Sequence, residues 1–370
     1  MFRLLLRHFL LAIFFAALTL CSAAQPTPSS ALLVLSKQDH TLAIVDPATL
    51  HVLARIPVGE DPHEVVASAD GHTAYVSNYG FGRFHTLTAI DLLGQKQKSV
   101  IDLGPLRGPH GLDFVEDKVW FTAEAAKVIG SYDPATDKVD WVMGTGQNRT
   151  HMIYVFPKLK RIVTTNVSSA TVTILDKTEG PAGMPPGPPG ALPPGPPPSQ
   201  SPGAPSPGTP GRPGGPPPGP PGGDWNETVV PVGRGSEGFD VSPDLKQAWV
   251  ANAGDGTISV IDIDAKKVTA TLAANARGAN RLKFTPDGKL ALISAGPELV
   301  IFDVPSKKEV KRLTIGHGSG GVLMEPGGTR AFVACSGDAY VAVIDLKTLS
   351  IIGHIEAGGN PDGLAWAARK

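Results

Sequence analysis

Seven aspartates, Asp46, Asp91, Asp133, Asp176, Asp262, Asp303 and Asp345, each close a short apolar run, at gaps of 45, 42, 43, 86, 41 and 42 residues. The one double-length gap holds a Pro/Gly tract, and taking out 44 residues (180–223) restores the period. A repeat of this length made of short strands is the signature of blades arranged in a ring, since one blade cannot bury both its faces alone. The expected fold is all-β: a seven-bladed β-propeller of four-stranded blades. Such a ring says little about chemistry, which must be argued from the loops that line its axis.

One unit shows the pattern strand by strand. His63–Ala67 is read as an innermost strand, Ala74–Asn78 as the second, Thr86–Ile90 as the third and Lys98–Ile101 as the outermost. β-Branched and apolar residues fill the runs, and Asp/Gly turns such as Asp70-Gly71 and Asp287-Gly288 punctuate them. The aspartate after each third strand is read as a turn former, because its carboxylate can accept backbone N–H bonds. The two chain ends imply closure. Residues 32–57 hold only three strands and the chain finishes on a lone inner strand, Asp362–Ala367. That strand is expected to complete the first blade and remove both sheet edges.

These repeats resemble the YVTN-type β-propeller family of exported bacterial and archaeal proteins. The residues that carry the resemblance are Ala74-Tyr75-Val76-Ser77-Asn78, Ile162-Val163-Thr164-Thr165-Asn166 and Ala248-Trp249-Val250-Ala251-Asn252, with Thr257–Asp262 and Tyr340–Asp345 as the strand that follows. The resemblance runs from about residue 31 to the C-terminus, apart from the insert. It implies the fold and leaves the activity open, since the family spans binding proteins, surface-layer proteins and enzyme-like members.

The start of the chain reads as a secretory signal over residues 1–24: Arg3 and Arg7, the apolar run Phe9–Leu20, then Ser22-Ala23-Ala24. The apolar run is too short for ~30 Å of hydrocarbon, and no other segment is apolar enough for a transmembrane helix. Cys21 is a lipidation candidate, but Leu20 stands where that signal wants a small residue. The expected product is periplasmic or secreted, with 31–370 a single propeller and Cys335 a buried, unreactive thiol. A net charge of −1 with no basic run gives no electrostatic grip on nucleic acid. Residues 180–223 lack a three-residue glycine period, which excludes a collagen helix, and they are expected to form a disordered loop on the face away from any pocket.

The informative variation lies where each inner strand begins. Counting 17 to 19 residues past each aspartate anchor, with the insert subtracted, gives His63, His110, His151, Glu237, Asn280, Gly320 and Asp362. These seven are expected to ring the mouth of the central channel. Three adjacent blades contribute histidine, so His63, His110 and His151 are the candidate ligands of a divalent metal, with Glu237 or Asp362 as a carboxylate partner; a solvated polar ring is the alternative. Arg107, Arg149, Arg234 and Arg277 each precede a ring position by two or three residues, and four guanidinium groups at one opening would suit a small anion. The loop Asn78–His85, with Tyr79, Phe81 and Phe84, suits a flap on the same face.

Three classes of function follow. The leading one is an exported, monomeric binding module for a small anionic ligand or an envelope partner. The second is an enzyme of lactonase or lyase type, with His110 or His151 as general base and Arg149 or Arg277 steadying an oxyanion, with or without a metal. The third is a structural envelope protein.

Overall fold

The computed structural model describes residues 25–178 and 225–369. The signal-like segment 1–24, Cys21 included, and the insert 180–223 lie outside the described residues. Seven antiparallel sheets of four strands surround one axis, so the chain is a seven-bladed β-propeller. Six blades run inner to outer in chain order. Their inner strands are Pro62–Ala67, Pro109–Val115, Thr150–Val155, Ser236–Val241, Ala279–Phe284 and Val322–Met324. The remaining blade is assembled from both ends: Pro361–Ala368 pairs antiparallel with Ser30–Ser36, placing Leu32 opposite Trp366 and Val34 opposite Leu364. No helix among the described residues is long and apolar enough to cross a membrane.

The sequence pattern of each strand matches its depth in the blade. Second and third strands, such as Thr73–Asn78 and Thr257–Asp262, are packed on both faces by neighbouring blades and read as continuous apolar runs. Outer strands such as Lys267–Ala273 alternate exposed and half-buried residues, because only one face meets a neighbour. The core is thus a series of layers between blades; one joins Trp249 and Ile258 to Leu282, Phe284 and Phe302 of the next blade. Cys335 is fully buried in such a layer, and burial pushes its thiol up to about 11.

The expected turn aspartates are turn formers in six blades; Asp91, for example, accepts the N–H groups of Leu93 and Gly94, and Asp345 those of Lys347 and Thr348. Asp176 departs from the pattern. With its turn replaced by the insert, it pairs instead with Arg161 and Lys266. The insert's flanks remain in register, with Lys177 opposite Trp225.

Two polar devices recur. The asparagine ending a second strand ties two hydroxyls of the third: Asn78 donates to Thr86 and Thr88, Asn166 to Thr171 and Thr173, Asn252 to Thr257 and Ser259. The residue just before that terminal position is a latch between blades. Its hydroxyl accepts an N–H of its own inner strand and donates to the carbonyl of the ring residue next door. Ser77 thus holds His110 O at 2.8 Å, Thr122 holds His151 O at 2.7 Å, Thr165 holds Glu237 O at 2.9 Å and Ser294 holds Gly320 O at 2.7 Å. These latches fix how the ring backbone faces the axis.

The inner strands converge so closely that a glycine follows the ring position in four blades: Gly111, Gly238, Gly321 and Gly363. A Cβ on Gly111 would lie 2.5 Å from His151 O and 2.8 Å from Met152 Cα. Both are backbone atoms, which cannot swing aside. Gly111→Ala is therefore expected to destabilise the fold by roughly 1–3 kcal/mol. Gly144→Ala, whose Cβ would meet nothing within 4 Å, should change stability by less than about 0.5 kcal/mol. Denaturant titration of the two variants checks the pair.

Candidate functional site

The ring residues reach one cavity of about 340 Å³ at the mouth of the axis, lined by His63, His110, His151, Glu237, Asn280, Gly320 and Asp362. Six of them are the second residue of an inner strand, and Gly320 stands two residues ahead of one. A second tier comes from the residue that follows each second strand: Lys37, Tyr79 and Ser336 line the cavity, and Glu124 lies behind His151. Arg281, one residue past the ring position of its blade, forms part of the floor.

His110 and His151 lie side by side with ring centres 3.9 Å apart, each only 2 % exposed. Glu124, equally buried, hydrogen-bonds His151 Nδ1 with one oxygen and accepts the Tyr79 hydroxyl with the other at 2.5 Å. Glu237 Oε1 lies 3.1 Å from His151 Nε2, and Arg149 contacts Glu237 at 3.6 Å and Glu124 at 3.5 Å. The Nδ1 of His110 is buried with no hydrogen-bond partner. Possible ligand atoms of His110, Glu124 and His151 all lie within 4.8 Å of one another, so this buried group can hold a metal ion.

The pKa values of the two histidines are shifted in opposite directions. Burial lowers the pKa of His110 well below the ordinary value, and the positive neighbours His151, His63, Arg281 and Lys37 lower it further. Burial alone would do the same to His151, but the hydrogen bond to Glu124 and the nearby carboxylate of Glu237 outweigh it and raise its pKa, although Nε2 makes no well-aligned hydrogen bond. Burial opposes ionisation of Glu237 as well, yet its contacts with His151, Arg149 and Arg281 bring it down to about 2.

His63 belongs to a different set. Its ring centre is 4.8 Å from that of His110, but Nε2 lies 3.1 Å from Asp61 and Nδ1 lies 3.6 Å from Asp362, which also binds Lys37 at 2.8 Å. The expected His63/His110/His151 set thus meets at the mouth, with His63 turned toward its own carboxylates. The buried group is His110, Glu124 and His151, because His63 is drawn aside by its own carboxylates.

The four arginines of the expected collar are placed differently from one another. Only Arg149 lines the mouth; Arg234 is 78 % exposed and paired with Asp255, and the exposed Arg107 and Arg277 do not line the cavity. The cations that do face it are engaged by carboxylates, Lys37 by Asp362, Arg149 by Glu124 and Glu237, and Arg281 by Glu64. The Arg281–Glu64 pair spans the axis between two blades that lie nearly opposite, and Asn280 Oδ1 steadies the guanidinium at 2.8 Å. Removing one partner of such a buried pair strands the other charge, a loss of about 3–5 kcal/mol.

At the rim, Gly80–Gly82 forms a short 3₁₀ turn that carries Phe81 over the cavity at φ +52°, with its ring 80 % exposed. Tyr79 beneath it packs edge-on against His63 and His110. The loop 78–85 therefore lies on the mouth side, where the sequence places it.

Neither tier partner, Glu124 nor Arg281, was on the ring that the sequence count picks out. Glu124 follows the second strand Lys118–Ala123, so the same count made from second-strand ends would have reached Lys37, Tyr79 and Glu124 together.

No family model matches the chain, and no curated protein matches it. Among solved structures, a candidate 6-phosphogluconolactonase from Bacteroides uniformis superposes with a TM-score of 0.68 at 14% identity, covering 92% of this chain and 100% of the other. Kuenenia stuttgartiensis hydrazine synthase gives 0.64 at 15% identity, over 85% and 92%. Dihydro-heme d1 dehydrogenase NirN in complex with DHE gives 0.59 at 15% identity, over 92% and 75%. At these identities the likeness is one of fold.

The geometry around His151 sets a pH test. Its folded pKa lies above the unfolded value near 6.5, so its contribution to stability is complete below about 6.5 and is lost as pH rises through the folded value. Glu124→Gln removes the carboxylate at Nδ1, and the pKa of His151 read by NMR titration should fall. An unchanged pKa would mean that Glu237 alone sets the charge.

Proposed function

We propose that the chain is a small-molecule propeller whose mouth holds a divalent transition metal on His110, Glu124 and His151, with a polar ligand bound above it. The observation that carries this reading is the buried convergence of ligand atoms from His110, Glu124 and His151 within 4.8 Å, together with a His110 Nδ1 that has no hydrogen-bond partner. Glu237 lies behind His151 and Tyr79 behind Glu124, the outer-shell arrangement that orients metal ligands. A bound ion would polarise a carbonyl or acidify a water, and Arg149, half-exposed and held by Glu124 and Glu237 only at 3.5 and 3.6 Å, would orient an anionic group on the ligand. Hydrolysis of a lactone or ester is the reaction that this set supports best. The lactonase name of one fold neighbour agrees with that reading, although its support extends only to the scaffold.

A metal-free second reading rests on the same pair. Neutral His110 beside a carboxylate-held His151 is an arrangement suited to proton transfer, with His110 accepting and His151 donating. In both readings the YVTN-type repeats and the basic, then apolar, N-terminus support an exported protein. N-terminal sequencing of the mature protein, expected to begin after Ala24, tests that part.

The deciding measurement is metal content after Co²⁺ or Zn²⁺ loading of chelator-free protein. One equivalent is expected, lost in His110→Ala and in Glu124→Gln and kept in His63→Ala. Cobalt should show the d–d absorption of a low-coordinate site. No retained metal in the wild type would exclude the first reading and leave proton transfer.

A further inference from the structure

The axial channel continues below the mouth. Arg281 lines both halves, and its pair with Glu64 lies across the channel as a bar. Behind the bar is a second cavity of about 390 Å³, lined by inner-strand residues of all seven blades. Its wall is divided. One arc is apolar, with Val66, Leu323, Ala365 and Trp366; the other carries Asp113, Tyr154, Asp240 and Lys283.

The charges on this wall do not cancel. Glu64 is taken by Arg281, and Asp240 faces Lys283 at 3.4 Å. Asp113 has no cation of its own: its oxygens accept only the backbone N–H groups of Phe114 and Val155. A carboxylate so placed, in a chamber with an apolar arc and the aromatic rings of Phe114, Tyr154 and Trp366, lacks one kind of partner. That partner is a compact positive charge on an apolar body.

We propose that the rear chamber is a second binding site, independent of the mouth, for a small organic amine whose ammonium pairs with Asp113 and whose hydrocarbon part lies along Leu323, Ala365 and Trp366. The bar between Glu64 and Arg281 keeps the two sites apart. Its own charges are paired with each other, so the ammonium is directed to Asp113, the chamber's one carboxylate without a cation.

Burial raises the Asp113 carboxyl to about 6, with Asp240 adding to the shift and Lys283 opposing it. Glu64, Asp240, Arg281, Lys283 and Tyr154 are the other titratable groups facing this chamber. Amine binding should therefore weaken roughly 10-fold between pH 7.5 and pH 5 as Asp113 takes up its proton.

Calorimetric titration of the full chain with benzylamine, with benzyl alcohol as the neutral control, tests the site. The expected result is one-to-one binding of the amine, none of the alcohol, and a loss of at least tenfold in Asp113→Asn. Leu323→Trp, which fills the apolar arc without touching a charge, should also abolish binding; thermal melting shows whether each variant is folded. The proposal is overturned if a folded Asp113→Asn binds benzylamine as the wild type does, if no binding is detected, or if His110→Ala removes it, which would place the amine in the mouth.

Discussion

Closure of the ring is the constraint on which everything else depends. Pro361–Ala368 and Ser30–Ser36 come from opposite ends of the chain, and their pairing is what makes seven sheets share an axis. Without it one blade would lack its inner strand and leave Ser30–Ser36 as an unpaired edge, and the ring would stay open. Convergence in turn brings neighbouring backbones so near that several positions tolerate only glycine. It also brings the ring side chains into a single cavity. The site is a consequence of the closed circle, since its residues come from strands spread over 300 positions of the sequence, from His63 to Asp362.

Within that circle, polar contacts between blades do what packing alone cannot. Apolar layers between blades are non-directional. The hydroxyl latches from Ser77, Thr122, Thr165 and Ser294 are directional, and they hold the carbonyls of ring residues at hydrogen-bond distance. His110 and His151 are therefore presented at a fixed spacing. The opposite directions of their pKa shifts then follow from what lies behind each one. His151 has two carboxylates at its nitrogens; His110 is buried, its Nδ1 has no partner, and the charges that act on it most are positive. The same residue type at equivalent positions of adjacent blades thus acquires different chemistry from its second neighbours.

The ion pairs along the axis organise the channel into compartments. Arg281 and Glu64 occupy positions that in four other blades hold glycine, and they meet across the space those glycines leave. A buried pair of this kind is weak support for stability, because desolvation offsets much of its attraction. Its clearer effect is to divide the channel: a polar mouth rich in histidine on one side, and a half-apolar chamber with an unpaired carboxylate on the other.

The sequence by itself determined the blade count, the strand order within a blade, the closing strand and the membership of the inner ring. All of these follow from a repeat period and from strand-length runs, which are local properties. It also located the aromatic loop 78–85 on the correct face. Misplacement began where side chains had to choose partners. Arg107, Arg234 and Arg277 sit at equivalent spacings to Arg149, yet only Arg149 turns toward the mouth, because Glu124 and Glu237 are there to receive it while Asp255 takes Arg234. His63 sits in register with the other two histidines, but Asp61 and Asp362 claim its nitrogens. Arg281 was passed over because it lies one residue past a counted position, and Glu124 because it stands just past the end of a second strand, which was not counted. Register along a repeat fixes which residues face the axis; which of them share protons and charge depends on distances across blades far apart in the chain, and only the tertiary structure decides those.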